Sequence, residues 1–259
     1  MLRLGNRASR RYPAGMSHSL GMRLVVCGLL AAGVTLAGCQ SRPVVSAAAT
    51  SETSAKPGIN AEFLKPSLNL TQWVERFERE GREIYTEREK IIAATKVRPG
   101  MAVADIGAGT GLFAPLLSQA VGPKGKVYAV DIAKDFLAHI EQRTAAMGLK
   151  NVQTVLCTDR SVELPPNVID LAFICDTYHH FEYPRSTMTS LHRALRAGGE
   201  LVVVDFKRIP GQSSDWVTNH VRAGQEVFTA EIEAAGFKQT EQIDLLKDNY
   251  LLRFRKVKP

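Results

Sequence analysis

The chain has 259 residues, of which 45% are hydrophobic and 23% charged, the balance of an ordinary globular protein. Wholesale disorder, a fibrous repeat and a polytopic membrane protein are excluded, and four cysteines are too few for a disulfide-built scaffold. The net charge of +7 is uneven: residues 1–38 hold five arginines and no acid, leaving 28 basic against 26 acidic residues beyond them. Nucleic-acid binders concentrate positive charge on their folded part, because phosphate neutralisation drives the binding. Here the excess lies in a leader, so no nucleic-acid partner is expected.

Residues 24–37 (LVVCGLLAAGVTLA) form an apolar run behind Arg23. A bilayer span takes about 20 apolar residues. A basic start, a shorter apolar stretch and small residues at its end describe a secretory signal instead. The run closes on Leu36-Ala37-Gly38-Cys39, which resembles the lipobox of bacterial lipoproteins. That resemblance implies that Cys39 becomes the lipidated first residue after cleavage, anchoring the chain extracytoplasmically to the cell envelope. Gln40 stands where that family's sorting rule reads an aspartate, which implies the outer membrane in a Gram-negative cell. A compact signal would start at Met16 or Met22 rather than Met1. Residues 40–66 are rich in Ser, Ala, Thr and Pro and read as a flexible tether. The expected organisation is a signal at 1–38, a tether at 39–70 and a folded domain at 71–259.

A helical pattern runs over 71–94, with Trp73, Phe77, Ile84, Ile91 and Ile92 as its apolar positions and Thr71 as its N-cap. Pro99-Gly100 breaks it. Strand patterns follow at 101–106, 126–131, 152–157, 169–175 and 200–206, with helical patterns at 112–121, 134–147 and 185–196 between them. Gly198-Gly199 stops the last of these helices. Strand, helix and strand at this spacing mean parallel pairing through crossover helices, hence an α/β sheet covered on both faces. A helix over 216–235 and strands at 239–245 and 250–256 close the chain. No internal repeat is visible.

Residues 103–111 (VADIGAGTG) carry the chemistry, following a buried strand and opening a helix. Gly107, Gly109 and Gly111 let the backbone turn tightly and approach a ligand. A dinucleotide fingerprint needs Gly or Ala three positions after its second glycine, where this chain has Leu112. An NAD-linked oxidoreductase is therefore disfavoured. Asp105 suits a ligand ammonium and would repel a pyrophosphate. Together these residues resemble the first motif of the class I S-adenosylmethionine-dependent methyltransferases. The resemblance continues through Asp131 at the end of the second strand, Thr158-Asp159 after the third and Leu195–Leu201 (LRAGGEL) before the fifth. It implies a Rossmann-like, seven-stranded, mostly parallel sheet of order 3-2-1-4-5-7-6 with an antiparallel last strand. It also implies S-adenosylmethionine as cofactor. Asp105 and the three glycines would hold its methionine part and Asp131 the ribose, Ile132 would pack on the adenine, and Asp159 and Arg160 would frame the base. Tyr85 stands where relatives place an aromatic lid, and is equally well read as a core tyrosine.

Residues 175–181 (CDTYHHF) mark the acceptor edge beyond strand four. The absence of Asn-Pro-Pro-Tyr disfavours enzymes that methylate nucleic-acid or glutamine nitrogens. His179-His180 resembles a pair found in small-molecule methyltransferases of this superfamily, and a histidine can accept a proton near neutral pH. Capping a turn or packing beneath the cofactor is the alternative role for either. Asp176 and Tyr178 are the other substrate candidates. Asp176 and Asp205 resemble the metal-binding acids of catechol-type relatives, but Phe206 replaces the expected asparagine, so no metal is expected. His220 and Arg222 can reach the acceptor pocket or lie on a solvated helix face, and the second reading is favoured. Two functions remain: methyl transfer to a small-molecule acceptor, or an envelope lipoprotein that binds the cofactor or a related nucleoside without turnover. No protein partner is inferable.

Overall fold

A computed structural model describes residues 52–257. The signal and Cys39 lie outside the described residues. Three short helices open the domain: α1 (Leu70–Phe77), α2 (Glu83–Thr86) and α3 (Arg88–Ala94). The single helix expected over 71–94 is divided because the chain turns at Gly81, whose φ of +85° is left-handed. Asn69 rather than Thr71 caps α1, its side-chain oxygen accepting the N–H of Gln72.

The alternating part follows as β1 (Ala102–Ile106), α4 (Ala114–Val121), β2 (Lys126–Asp131), α5 (Lys134–Ala146), β3 (Val152–Leu156) and β4 (Ile169–Cys175). A 3₁₀ turn at Tyr178–His180 leads into α6 (Pro184–Ala194) and β5 (Leu195–Phe206). The chain ends with α7 (Asp215–His220), α8 (Gln225–Ala234), β6 (Phe237–Ile243) and β7 (Asn249–Lys256). The helix expected over 216–235 is thus two helices, and the extended Gly224 starts the second. β5 begins ahead of Gly198-Gly199, where a helix stop was expected, with a register shift against β4 between Ile169 and Leu171.

The sheet order is β3-β2-β1-β4-β5-β7-β6. β1 to β5 pair in parallel, and β7 runs antiparallel to both β5 and β6. This is the expected Rossmann-like sheet. Alternate residues of the central strands feed two cores. Ala104, Ile106, Val130, Ile174 and Val203 pack beneath Met188 and Leu191 of α6 and Phe228 and Ile232 of α8. Val103, Val127, Leu171, Phe173 and Val202 pack beneath Ile91 and Ile92 of α3 and Leu117 and Val121 of α4. Burial on both faces explains why these strands read as nearly continuous apolar runs.

Residues 52–69, assigned above to the tether, fold against the domain instead. The Glu52 carboxylate accepts the N–H groups of Arg185 and Ser186 at 2.7 and 2.8 Å, satisfying orphan donors in the first turn of α6. Ala55 N–H donates to the Glu182 carbonyl. Phe63 packs 4.9 Å from Trp73 and 5.9 Å from Phe136, ring centre to ring centre. The polar composition concealed these few anchors.

Cys157 and Cys175, both free thiols, lie at the ends of strands three sheet positions apart. At roughly 4.8 Å per step the separation is about 14 Å, against the 7 Å or so a disulfide tolerates. Both thiols should alkylate in the unfolded chain without prior reduction. A Cys157–Cys175 peptide pair in a non-reducing digest would contradict the strand order.

Candidate active site

A cavity of about 670 Å³ opens at the carboxyl ends of β1, β2 and β4. The strand order reverses between β1 and β4, so the loops leaving these strands splay to opposite faces and leave a crevice. Asp105, Gly107, Gly109, Asp131, Ile132 and Asp159 line one end, and Asp176, His179, His180 and His220 the other.

At the first end, Asp105 is only 2% exposed and its Oδ2 has no hydrogen-bond partner among the described residues. Burial, with Asp131 adding repulsion, pushes its carboxyl up from 3.8 to about 7. Asp131 is raised to about 6 by burial, against the pull of the backbone N–H groups of Ala133, Gly109 and Ile132. Its Oδ2 accepts from Gly109 N–H and its Oδ1 from Ala133 N–H, both at 2.8 Å. Each oxygen keeps a second lone pair for a ligand hydroxyl. A Cβ on Gly107, whose φ is +73°, would lie 2.2 Å from Thr177 Cγ2. A Cβ on Gly111 would lie 2.7 Å from Ile140 of α5, so that glycine serves helix packing rather than ligand approach. The donor set fits S-adenosylmethionine: an unpartnered buried carboxylate oxygen for its ammonium, and Asp131 for the ribose hydroxyls.

The segment before β1 closes the crevice. Glu78 accepts hydrogen bonds from Thr110 Oγ1 at 2.7 Å and from Arg143 at 2.6 Å, fastening the end of α1 to the glycine loop and α5. Arg82 spans the opening to Asp176, 2.7 Å away. Asp176 also accepts from Asn249 Nδ2 at 2.6 Å, and its φ of +48° is left-handed for a side chain with a Cβ. Burial pushes Asp176 up to about 6, and Arg82 opposes that shift. Asp176 therefore faces the cavity as the anchor of a closing strap.

At the acceptor end the His179 ring is 1% exposed and Nδ1 lies 2.8 Å from Asp205 Oδ1. Asp205 also receives the N–H groups of His179 and Phe206. A carboxylate can only accept, so Nδ1 donates this hydrogen bond, and in the neutral tautomer that it favours Nε2 is the acceptor atom. That Nε2 is buried without a partner. His180 Nε2 lies 3.2 Å from His220 Nε2, and Trp216 stacks on the His220 ring at 4.5 Å. Burial first, then the neighbouring imidazoles and Lys56, hold His180 neutral far below its usual range, and similar causes lower His220 to about 4. Lys56 donates to the carbonyls of Asn219 and His220, and Asn60 to that of His180. The folded-back segment thereby pins the backbone of two histidines.

Three sequence candidates lie elsewhere. Tyr85 packs in the core beside Ile84 with Arg88 over its ring at 4.3 Å, and Ile84 lines the cavity instead. Tyr178 is fully buried and points its hydroxyl to Glu231, because successive residues of the 3₁₀ turn face different directions. Arg160 is exposed and stacks 3.3 Å above Tyr183. As site residues the sequence reading missed Phe63, Trp73, Arg82 and Trp216, and it gave His220 the acceptor pocket only as the less favoured alternative to a solvated face.

Residues 104–203 match the family model described as a methyltransferase domain. The ubiquinone/menaquinone biosynthesis C-methyltransferase UbiE of Bordetella parapertussis is 28% identical over 164 residues, 62% of this chain. The match spans 63% of that relative, less than two thirds of its length. A SAM-dependent methyltransferase from Aquifex aeolicus aligns with a TM-score of 0.66 at 24% identity, over 74% of this chain and 100% of that one. The [4+2]-cyclase SpnF aligns with a TM-score of 0.63 at 17% identity, over 80% and 97% of the two chains. The fold is that of the class I methyltransferases. A cyclase shares it, so the chemistry rests on the site rather than on the fold.

The native state holds a proton on Asp105 up to about pH 7, where the unfolded carboxyl loses it near 3.8. Native chains thus bind more protons between these values, and stability falls as pH rises across that window. A ligand ammonium needs the ionised form, so affinity for S-adenosylmethionine should rise with pH and level off above about 7. Asp105→Asn should flatten that profile and lower affinity roughly ten- to a hundredfold, the weight of one charge-assisted hydrogen bond. Calorimetric titration across this range checks both, and a pH-independent wild-type affinity would contradict the assignment.

Proposed function

We propose that the protein is an S-adenosylmethionine-dependent methyltransferase acting on a small-molecule acceptor. The unpartnered, buried Oδ2 of Asp105 beside the glycine loop carries the reading, because an ammonium is the chemistry that would satisfy it. Transfer from a sulfonium is an in-line displacement, in which the protein aligns the acceptor, excludes water and removes a proton where needed. The Arg82–Asp176 strap and the aromatic side chains Phe63, Trp73 and Phe77 wall the cavity against solvent. His179 Nε2, oriented by Asp205, is the lone pair placed to receive an acceptor proton. The methyltransferase-domain match over 104–203 supports the same reading.

The protein incubated with methyl-labelled S-adenosylmethionine and fractionated small-molecule extracts should transfer label, and Asp105→Asn should abolish most of it. Tight cofactor binding with no transfer to any fraction would instead make the protein a cofactor-binding module.

The proposal extends to location: a lipid anchor at Cys39, supported by the Leu36–Cys39 pattern behind its apolar run. Cys39→Ser should abolish acyl labelling and shift the protein from the membrane to the soluble fraction. Membrane association that survives the change would contradict the anchor.

A further inference from the structure

We propose that His179, His180 and His220 form a three-histidine site for a divalent transition metal of the zinc type, at the acceptor end of the cavity. One ring nitrogen from each histidine lies within 4.8 Å of the others. In a tetrahedral zinc site with bonds of 2.0–2.1 Å, ligand nitrogens sit roughly 3.3–3.4 Å apart. His180 Nε2 and His220 Nε2 are already 3.2 Å apart. The third nitrogen needs a shift of up to roughly 1.4 Å to close the set, within reach of side-chain rotation.

His179 has the features of a ligand. Its Nδ1 is committed to Asp205 at 2.8 Å, which fixes the tautomer and the ring and leaves Nε2 as a bare lone pair. Carboxylate–histidine pairs of this kind orient metal ligands and raise their basicity. That Nε2 is buried in a ring 1% exposed and has no partner among the described residues. A buried acceptor without a donor is costly, and an ion would satisfy it. His180 and His220 bring their Nε2 atoms to 3.2 Å of each other, supplying two further imidazole nitrogens of the type that zinc, nickel, copper and iron favour. Lys56 and Asn60 hold the backbone of His220 and His180 from a separate segment, so the arrangement is fixed from three directions. This donor set differs from the acid pair Asp176 and Asp205, on which the sequence expectation of no metal rested. Those acids are engaged with Arg82, Asn249 and His179.

Three histidines leave the fourth position of a tetrahedral ion open, and all three of these line the cavity from which a ligand would come. On the methyltransferase reading, that position selects an acceptor bearing a hydroxyl or thiol. With His179 Nε2 committed to the ion, the acceptor proton passes to solvent rather than to that nitrogen, because the metal lowers the pKa of the bound group. The freed lone pair forms the bond to the methyl carbon as the carbon–sulfur bond breaks, its electron pair neutralising the sulfonium.

The untagged full chain in detergent, stripped of metal and titrated with zinc and separately with cobalt(II), tests the site. One zinc per chain is expected, with the visible absorption of four-coordinate cobalt. His220→Ala and His220→Gln should each weaken binding by at least about tenfold, and Asp205→Asn by roughly ten- to a hundredfold. His139→Ala, on α5 and outside the cluster, should leave binding unchanged. Zinc that fails to bind stoichiometrically, or binds equally to the wild type and both His220 variants, would overturn the proposal. S-adenosylmethionine binding measured on the same samples separates the two readings. Cofactor binding without zinc removes the metal site alone, and zinc binding without cofactor leaves the site standing and removes the methyltransferase reading.

Discussion

Asp105 ends the central strand as a carboxyl group with one unpartnered oxygen, and Asp131 ends the neighbouring strand as a second buried acid. Burial pushes both groups up, and the charge of Asp131 adds to the shift at Asp105. An isolated buried carboxylate carries a penalty of several kcal/mol, which persists only where surrounding structure enforces it. The enforcement comes from the sheet. Asp105 is held in parallel register between β2 and β4, and Asp131 between the N–H groups of Gly109 and Ala133. A ligand that brings a cation to Asp105 relieves this cost, so selectivity for such a ligand is built into the strand order.

The second organising feature is the chain ahead of β1. It contributes no strand, yet it supplies the wall opposite the glycine loop through Phe77, Arg82 and Phe63. Its charged side chains reach four separate places: Glu78 to Thr110 in the glycine loop and Arg143 on α5, Arg82 to Asp176, and Lys56 to the end of α7. Each is a hydrogen bond to or from an ionised group, stronger and more directional than a neutral one. Their joint effect is to enclose a crevice that the sheet alone would leave open. Water exclusion of this kind strengthens the electrostatic contacts inside it.

Much of this was legible in the sequence, for identifiable reasons. β2 and β4 have the bounds that their apolar runs indicated, because strands buried on both faces have little freedom in where they end. Asp105, Gly107, Gly109, Asp131, Ile132 and Asp159 follow one another along the ends of β1, β2 and β3, so local motifs bring them to the cavity, whereas Gly111 belongs to the packing of α5. The acceptor end is different. His220 meets His180 across 40 residues, and Asn60 reaches His180 across 120. No local pattern encodes those meetings. The polar run 52–69 concealed Glu52 and Phe63 as anchors, and the interruptions at Gly81 and Gly224 divided helices that periodicity alone joined. Tyr85 and Tyr178 stand beside site positions in the sequence, whereas the Tyr85 ring packs partly buried against the core and that of Tyr178 lies within it.

The central claim is that the buried Asp105 carboxylate exists to receive a ligand cation. A crystal structure with S-adenosylhomocysteine bound tests it most directly. The account predicts the ligand amino group at a charge-assisted hydrogen-bond distance of about 2.7–2.9 Å from Asp105 Oδ2, with the ribose hydroxyls on Asp131. A ligand seated in the cavity with its amino group elsewhere, leaving Asp105 Oδ2 without a donor, would contradict it.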